Sequence, residues 1–538
     1  MKITLSPDLK NSTPAVISAL SKIKDAGGGE LHFEKGEYHF YKEGTLKAYY
    51  AVTNNSAGEK HIVFPIIDME NVTVDGHDSV FVFHNIVFPF MISRSRGISL
   101  KNFLTDTGMS PVVNFKLHDF SDDGFYMDID REETPFHVDN GSINFERENG
   151  LWIGKKNILS LHAVNRHAVQ YMATGATEAN TENLAAPLMK CDVSETPTGI
   201  YAKYQADTPH RCRFMEEPVS VAIDGGRSVD VICIDRSEDI CVKDVTVARG
   251  IAMGILGQLS SNICIDNFST DVSYHKNAKQ TLTADAMHFV HCDGKLEIKN
   301  CKISDSMDDA LNVHGMYTVV NSIDENSILS SIKHHEQAGF NPYRKNDRLK
   351  LVDNTTFEIV AEFIVETSEF TQNSNRQLQI TGNFTYGKDK IKEGYLIENP
   401  DRMPDLHLHH NAFHNFPRNR VSGAGNMVIE ENVFTNCNAG LLCLDLAPYW
   451  YESGRIKNLV IRNNVFRNCN KTGCEAFIMI GIDGFDANNA PKIHERIEIS
   501  ENTFTDIRGL AIISGGVHDL VLENNTFDCN GEPPVRIF

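Results

Sequence analysis

Long apolar runs are missing from this chain. No stretch reaches the ~18 consecutive apolar residues of a membrane-crossing helix, and the opening MKITLSPDLKNSTPAV lacks the apolar centre of a secretory signal. The expectation is a cytoplasmic protein with no membrane partner. Basic residues are also in short supply: 51 Lys and Arg against 72 Asp and Glu leave a net charge of −21. Such a surface repels nucleic acid and polyanionic polysaccharides at long range, so a neutral partner is favoured and no nucleic acid is expected. The 12 cysteines (Cys233, Cys241, Cys264, Cys301, Cys437, Cys469 and Cys529 among them) never fall at paired zinc-site spacing. They read as small hydrophobes in a reducing compartment rather than as disulfides. A calcium loop of the EF-hand type is absent as well. No metal and no other cofactor is expected.

What the chain has in abundance is repetition. Five segments share the pattern Asn-x-Phe, with Asn at 411, 432, 464, 502 and 525 and Phe at 413, 434, 466, 504 and 527. The steps are 21, 32, 38 and 23 residues, as for a coil of 21–23 residues with extra chain in some loops. Ahead of each Asn runs an alternating apolar segment such as NLVIRNN or RIEISEN. Alternation points aliphatic side chains inward, and stacked coils bury them as continuous ladders. A recurrent Asn at a corner can pass amide hydrogen bonds from coil to coil. The Leu spacing of leucine-rich repeats is missing. The fold class is therefore all-β: a right-handed parallel β-helix, a solenoid that grows along one axis without dividing into compact domains.

Within it, residues 1–104 read as an N-terminal cap and first coils. TPAVISALSKIKD (13–25) places Val16, Ile17, Leu20 and Ile23 at helical spacing, as a cap helix would. Residues 105–219 break the repeat and read as an inserted antiparallel β module, as do residues 316–395. Residues 220–315 form central coils and 396–538 the C-terminal coils. A homodimer through an inserted module is compatible with this organisation.

Three aspartates stand out, Asp285 in TADAMHF and the pair Asp308–Asp309 in SMDDALNVHG. Asp285 and Asp308 are 23 residues apart, one coil of the repeat. Carboxylates on adjacent coils repel one another, a cost tolerated mainly where one must hold a proton. Because Asp308 and Asp309 are consecutive, both face one side only if the chain bends there. Asp305, by contrast, sits at a repeat corner and reads as structural. In HLHH (407–410) only His407 and His409 share a strand face and could converge, and a metal site there is not expected.

DSMDDALNVHG, preceded by the Asp of TADAMHF, resembles the signature of glycoside hydrolase family 110, the bacterial inverting α-1,3-galactosidases. The later APYWYESGRIKNLVIRNNVF is similar to that family's aromatic loop and following coil. The resemblance implies a β-helix hydrolase that releases terminal α-linked galactose from a neutral galactose-containing oligosaccharide. It implies Asp285, Asp308 and Asp309 as the acid/base set of a single displacement. Inversion needs carboxyls ~6.5–9.5 Å apart; Asp308 is the expected acid, with Asp285 and Asp309 sharing the water. His288, Asn312 and His314 are expected to bind sugar hydroxyls. Trp450 is one of only 2 tryptophans and would stack on a sugar face, with Glu452 holding hydroxyls. Arg418, Arg420 and Asp445 complete the expected substrate-binding set.

Two other readings stay open. Polygalacturonases share the solenoid and three aspartates, but their Asn-Thr-Asp is here Thr283-Ala284-Asp285 and their Gly-His-Gly is missing. Arg455-Ile456-Lys457 copies their Arg-Ile-Lys only at 146 residues past Asp309. The second is a non-catalytic β-helix, an adhesin or glycan-binding module.

Overall fold

A computed structural model describes residues 1–538 except 8–9, 120, 140–141, 148–150, 157–162, 166–190, 205–217, 223–227, 277, 422, 424, 438–439, 446–449, 471–474, 483–488 and 530–533. Two long sheets, of 19 and 13 strands among the described residues, run the length of the chain, and almost every pairing in them is parallel. Consecutive coils add strands to both sheets, as in Asp405–His409 and Ala412–His414 of the larger and Arg420–Val421 of the smaller, which is the architecture of a parallel β-helix.

The coil corners explain why these sequences stack. Asn411 Nδ2 donates to Asn432 Oδ1 at 2.9 Å, and Asn432, Asn464 and Asn502 each continue the series at 3.0 Å to the next Asn. Each of these asparagines directly follows a residue in the left-handed region: His410, Glu431, Asn463, Glu501 and Asn524, with φ between 53° and 57°. That conformation is costly for an L-residue, and the Asn ladder offsets it by binding the backbone that the corner turns out of the sheet. Two residues past each Asn, Phe413, Phe434, Phe466, Phe504 and Phe527 pack in a column with centroids 4.7–5.1 Å apart inside the coil. Ile and Leu ladders fill the rest of the core.

At the N-terminus, the helix Thr13–Asp25 buries Val16, Ala19, Leu20 and Ile23 against the first strands, while Ile17 lies at the edge of the contact. The segment GGGELHFEKGEYHF forms two strands, Gly29–Phe33 and Glu37–Phe40, parted by a bend. Two excursions leave the solenoid. The first contains a six-stranded sheet of strands between Val112 and Ala222 and a three-stranded one between Phe136 and Lys156, both antiparallel. The second is a closed antiparallel barrel of six strands, from Thr318–Ile323 to Leu396–Glu398, with its own core around Phe340, Phe363 and Ile380. Among the described cysteines, Cys233, Cys292, Cys301, Cys437 and Cys469 are buried, and Cys241 and Cys264 are half-buried on the outer face. No helix among the described residues is long and apolar enough to cross a membrane.

Candidate active site

The three aspartates sit just before strands of the smaller sheet. Met287–Val290 and Leu311–Met316 pair in parallel, with Met287 opposite Leu311 and His288 opposite Asn312. The offset from 287 to 311 is 24 residues, so Asp285 stacks beneath Asp309 rather than Asp308. The Ala286 N–H donates to the Asp309 carbonyl at 2.8 Å and fixes that stack. From Met307 to Ala310 the backbone is bent rather than extended, which brings consecutive Asp308 and Asp309 to one pocket. The Asp309 N–H donates to Asp308 Oδ1 at 3.1 Å and holds the bend. The next coil supplies two arginines: Arg420 lies opposite Asn312 in the sheet, and Arg418 two residues before it. Finally, the short strand Glu452–Ser453 pairs antiparallel with Gly315 and Met316, bringing Glu452 over the site.

The result is a pocket walled by Asp285, Asp308, Asp309, Arg418, Trp450 and Glu452 among others. One oxygen from each aspartate lies within 4.8 Å of the other two. That is closer than the open spacing expected for inversion. Arg418 faces the pair, with Nη2 3.1 Å from Asp308 Oδ1 and Nε 2.7 Å from Asp309 Oδ1. Its guanidinium already supplies the counter-charge that a cation would bring to this trio. Burial pushes the Asp309 carboxyl well above the usual range; Arg418 opposes, and the charges of Asp285 and Asp308 add to the rise. Burial thus favours the protonated form of Asp309, within a set of three carboxyls that titrate together.

Behind the aspartates runs a buried chain. His288 Nδ1 meets Asp285 Oδ2 at 2.6 Å, His288 Nε2 meets His314 Nε2 at 2.8 Å, and His314 Nδ1 donates to the Gly315 carbonyl at 2.5 Å. Burial lowers His314 to about 4, so it is neutral near pH 7. Burial works to raise Glu452, but positive charge at His314 and Arg420 draws it down to about 2. With His314 neutral, Arg420, whose Nη1 is 3.1 Å from Glu452 Oε2, is the lasting counter-ion.

Of the expected site residues, Asp285, His288, Asp308, Asp309, Asn312, Arg418, Arg420, Trp450 and Glu452 all line this one pocket. His314 does not line it; it lies behind His288 and was expected at sugar hydroxyls. Asp445 ends the strand Leu441–Asp445, and its side chain lies outside the described residues. Sequence reasoning missed Asn54, whose Nδ2 donates to Glu452 Oε1 at 3.0 Å across 398 residues of chain. TNN at 53–55 belongs to no repeat and no motif, so nothing in the sequence points to it. The second excursion also reaches the site: the His334 ring packs on Trp450 with centroids 4.0 Å apart, and Gln337 Nε2 donates to the Trp450 carbonyl at 2.8 Å.

No family model matches the chain. Its sequence is similar to an alpha-1,3-galactosidase B of Bacteroides thetaiotaomicron, 26% identical over 97% of this chain and 84% of that protein. It is likewise similar to an alpha-1,3-galactosidase A of Shewanella woodyi, 25% identical over 98% of this chain and 84% of the relative. Among solved structures, the A-module of mannuronan C-5 epimerase AlgE4 from Azotobacter vinelandii aligns over 99% of this chain and 96% of its own, with 8% identity and a TM-score of 0.43. The likeness to the α-1,3-galactosidases thus runs along most of the chain, well beyond the two motifs that first pointed to them.

Proposed function

We propose that this protein is an exo-acting, inverting glycoside hydrolase of family 110 that releases terminal galactose from α-1,3-linked galactosides. The observation that carries the reading is the convergence of three buried carboxylates, within 4.8 Å, on one pocket lined by Arg418, Arg420, Trp450 and Glu452. The polar walls are balanced: Arg418 and Arg420 are both in ion pairs with site carboxylates. With Asp285 also acidic, the pocket offers no surplus positive charge to a uronate, which favours a neutral sugar over a pectic one.

In this reading Asp309 carries the proton and delivers it to the glycosidic oxygen. Asp285, oriented by His288, and Asp308, oriented by Arg418, hold the attacking water. Two acceptors bound to one water by ~2.8 Å hydrogen bonds stand ~4.5 Å apart, which fits the observed spacing. For inversion the carboxyls must part on sugar binding, so that Asp309 reaches the leaving oxygen from the face opposite the water. A retaining double displacement would place its two carboxyls ~5–5.5 Å apart, so the released anomer decides. Proton NMR of the first galactose set free from an α-1,3-galactosyl disaccharide is the test. β-Galactose is expected; α-galactose overturns inversion, and binding without any release from a panel of α-galactosides overturns the hydrolase.

A further inference from the structure

On the outer face of the larger sheet, away from the pocket, two imidazoles and a carboxylate converge. His407 and His409 are two apart on the strand Asp405–His409, so both point to the same side. Their rings stack with centroids 4.0 Å apart. Glu297, on the strand Asp293–Lys299, lies directly opposite His407 in the sheet. One donor atom from each of the three lies within 4.8 Å of the other two.

Each group is prepared as a ligand. His407 Nε2 meets Glu430 Oε1 at 2.9 Å, and Arg462 Nε holds the far oxygen of Glu430 at 2.7 Å. A histidine anchored by a carboxylate through one nitrogen keeps the other for a metal, in a fixed ring orientation. His409 is anchored through Nδ1, 2.8 Å from His410 Nδ1. Its Nε2 is buried, makes no hydrogen bond and lies 3.9 Å from Glu297 Oε1. Burial, with the neighbouring His407 and His410, keeps His409 neutral. Lys299 and Lys295 hold Glu297 ionised, down to about 2. Lys295 is the competitor at Oε1, 3.0 Å away, but it is 62% exposed, and such ion pairs are weak and readily exchanged.

We propose that Glu297, His407 and His409 form a binding site for a divalent first-row transition-metal ion, with zinc as the natural probe. Imidazole and carboxylate oxygen suit such ions, and water fills the open positions. The place gives the site a role. Glu297 precedes the inserted barrel and His407 follows it, 110 residues later, yet the two are neighbours in the sheet. A metal here would pin the coil before the barrel to the coil after it, closing the barrel excursion at this seam.

The test uses the full chain stripped with chelator and titrated with zinc chloride by calorimetry. One zinc per chain is expected at micromolar or tighter affinity. At ~100-fold excess over Kd the unfolding temperature should rise by about 2–4 °C. Glu297→Gln should weaken binding at least ~10-fold, the double variant His407→Ala/His409→Ala should abolish it, and His518→Ala, remote on the surface, should leave it unchanged. Diethylpyrocarbonate labelling of wild type, read by peptide mass, gives the same answer without a variant: zinc should protect His407 and His409 but not His518. Zinc uptake equal in wild type and double variant, millimolar affinity only, or unprotected histidines would each overturn the site. None of these residues touches the pocket, so the outcome is independent of galactoside hydrolysis.

Discussion

His288 Nδ1 lies 2.6 Å from Asp285 Oδ2, with both side chains buried. The protons on this pair follow from its neighbours. His314 gives its Nδ1–H to the Gly315 carbonyl, so as a neutral ring its Nε2 accepts, and His288 Nε2 must donate. One proton then remains between His288 Nδ1 and Asp285, and His288 acts by orienting Asp285 rather than by binding sugar. His288→Gln is expected to lower kcat more than it changes KM. It should also move the acid limb of the kcat/KM profile to higher pH, since a carboxylate that loses its donor is easier to protonate. A variant with raised KM and an unmoved pH profile would return His288 to the role of hydroxyl ligand.

Substitutions at the three aspartates sort their duties. General acid–base groups typically contribute ~10²–10⁴ in rate, and Asp285→Asn, Asp308→Asn and Asp309→Asn should each cost that much on a galactosyl disaccharide. A nitrophenyl α-galactoside, whose leaving group needs no proton, should restore turnover in the acid variant alone. Burial and two like charges at Asp309 select it for that rescue. Rescue of Asp308→Asn instead would return the acid to Asp308, the residue expected from the sequence.

Acid should unfold this protein through histidines that are buried neutral. His494 is fully buried; its Nε2 donates to the Gly481 carbonyl at 2.8 Å and its Nδ1 accepts from the Ile456 N–H at 3.2 Å. Burial lowers its pKa to about 4, as it does that of His314. A depressed folded pKa means that this stability is whole above the unfolded value of ~6.5 and is lost as pH falls toward 4. Protonating His494 Nδ1 also sets two donors against each other at Ile456. Full loss at one such histidine is on the order of 3 kcal/mol. Glu452, with a folded pKa of about 2, extends the same trend below the ordinary glutamate range. Circular dichroism melts from about pH 7.5 down to about 4.5 should show a falling Tm; a flat profile would sink the account.

The solenoid was legible because its signal is periodic: Asn-x-Phe recurs, and each Asn and Phe must find its copy on the next coil. Nine expected site residues reach one pocket for a related reason, since they lie on three stacked coils and one covering segment that includes Trp450 and Glu452. What escaped is what sits off that period. The offset of 24 between Met287 and Leu311 depends on where strands begin, which the 23-residue spacing of Asp285 and Asp308 does not reveal. Asn54 comes from an N-terminal loop, and its contact with Glu452 depends on chain folding back from far away. The inward turn of His314 depends on the Gly315 carbonyl, which leaves no trace in residue types.

The asparagine ladder gives a stability prediction independent of any chemistry. Asn464 Oδ1 accepts from the Asn432 backbone and side chain, both at 3.0 Å, and its Nδ2 donates to the Ile429 and Arg462 carbonyls at 2.8 and 3.0 Å. Asn464→Ala strands several buried groups, each worth ~1–3 kcal/mol. Asn464→Asp keeps the acceptor but loses both donors and buries a charge, so it should do no better. Denaturant melts should place both variants well below wild type; a loss under ~1 kcal/mol for Asn464→Ala would mean the ladder is decoration on a hydrophobic stack.

Trp450 tests whether the inserted barrel shapes the pocket. Its ring lines the pocket and packs on His334 of the barrel, and Gln337 holds its carbonyl. An aromatic platform contributes ~0.5–1.5 kcal/mol beyond its area, so Trp450→Ala should raise KM by about 2–10-fold with little change in kcat. Gln337→Ala touches only the carbonyl behind the ring, so it should push KM the same way by a smaller factor. The two effects should not add, because both act by displacing one ring. If Gln337→Ala is silent while Trp450→Ala lowers kcat with KM intact, the ring orders the reacting groups instead, and the barrel plays no part in sugar recognition.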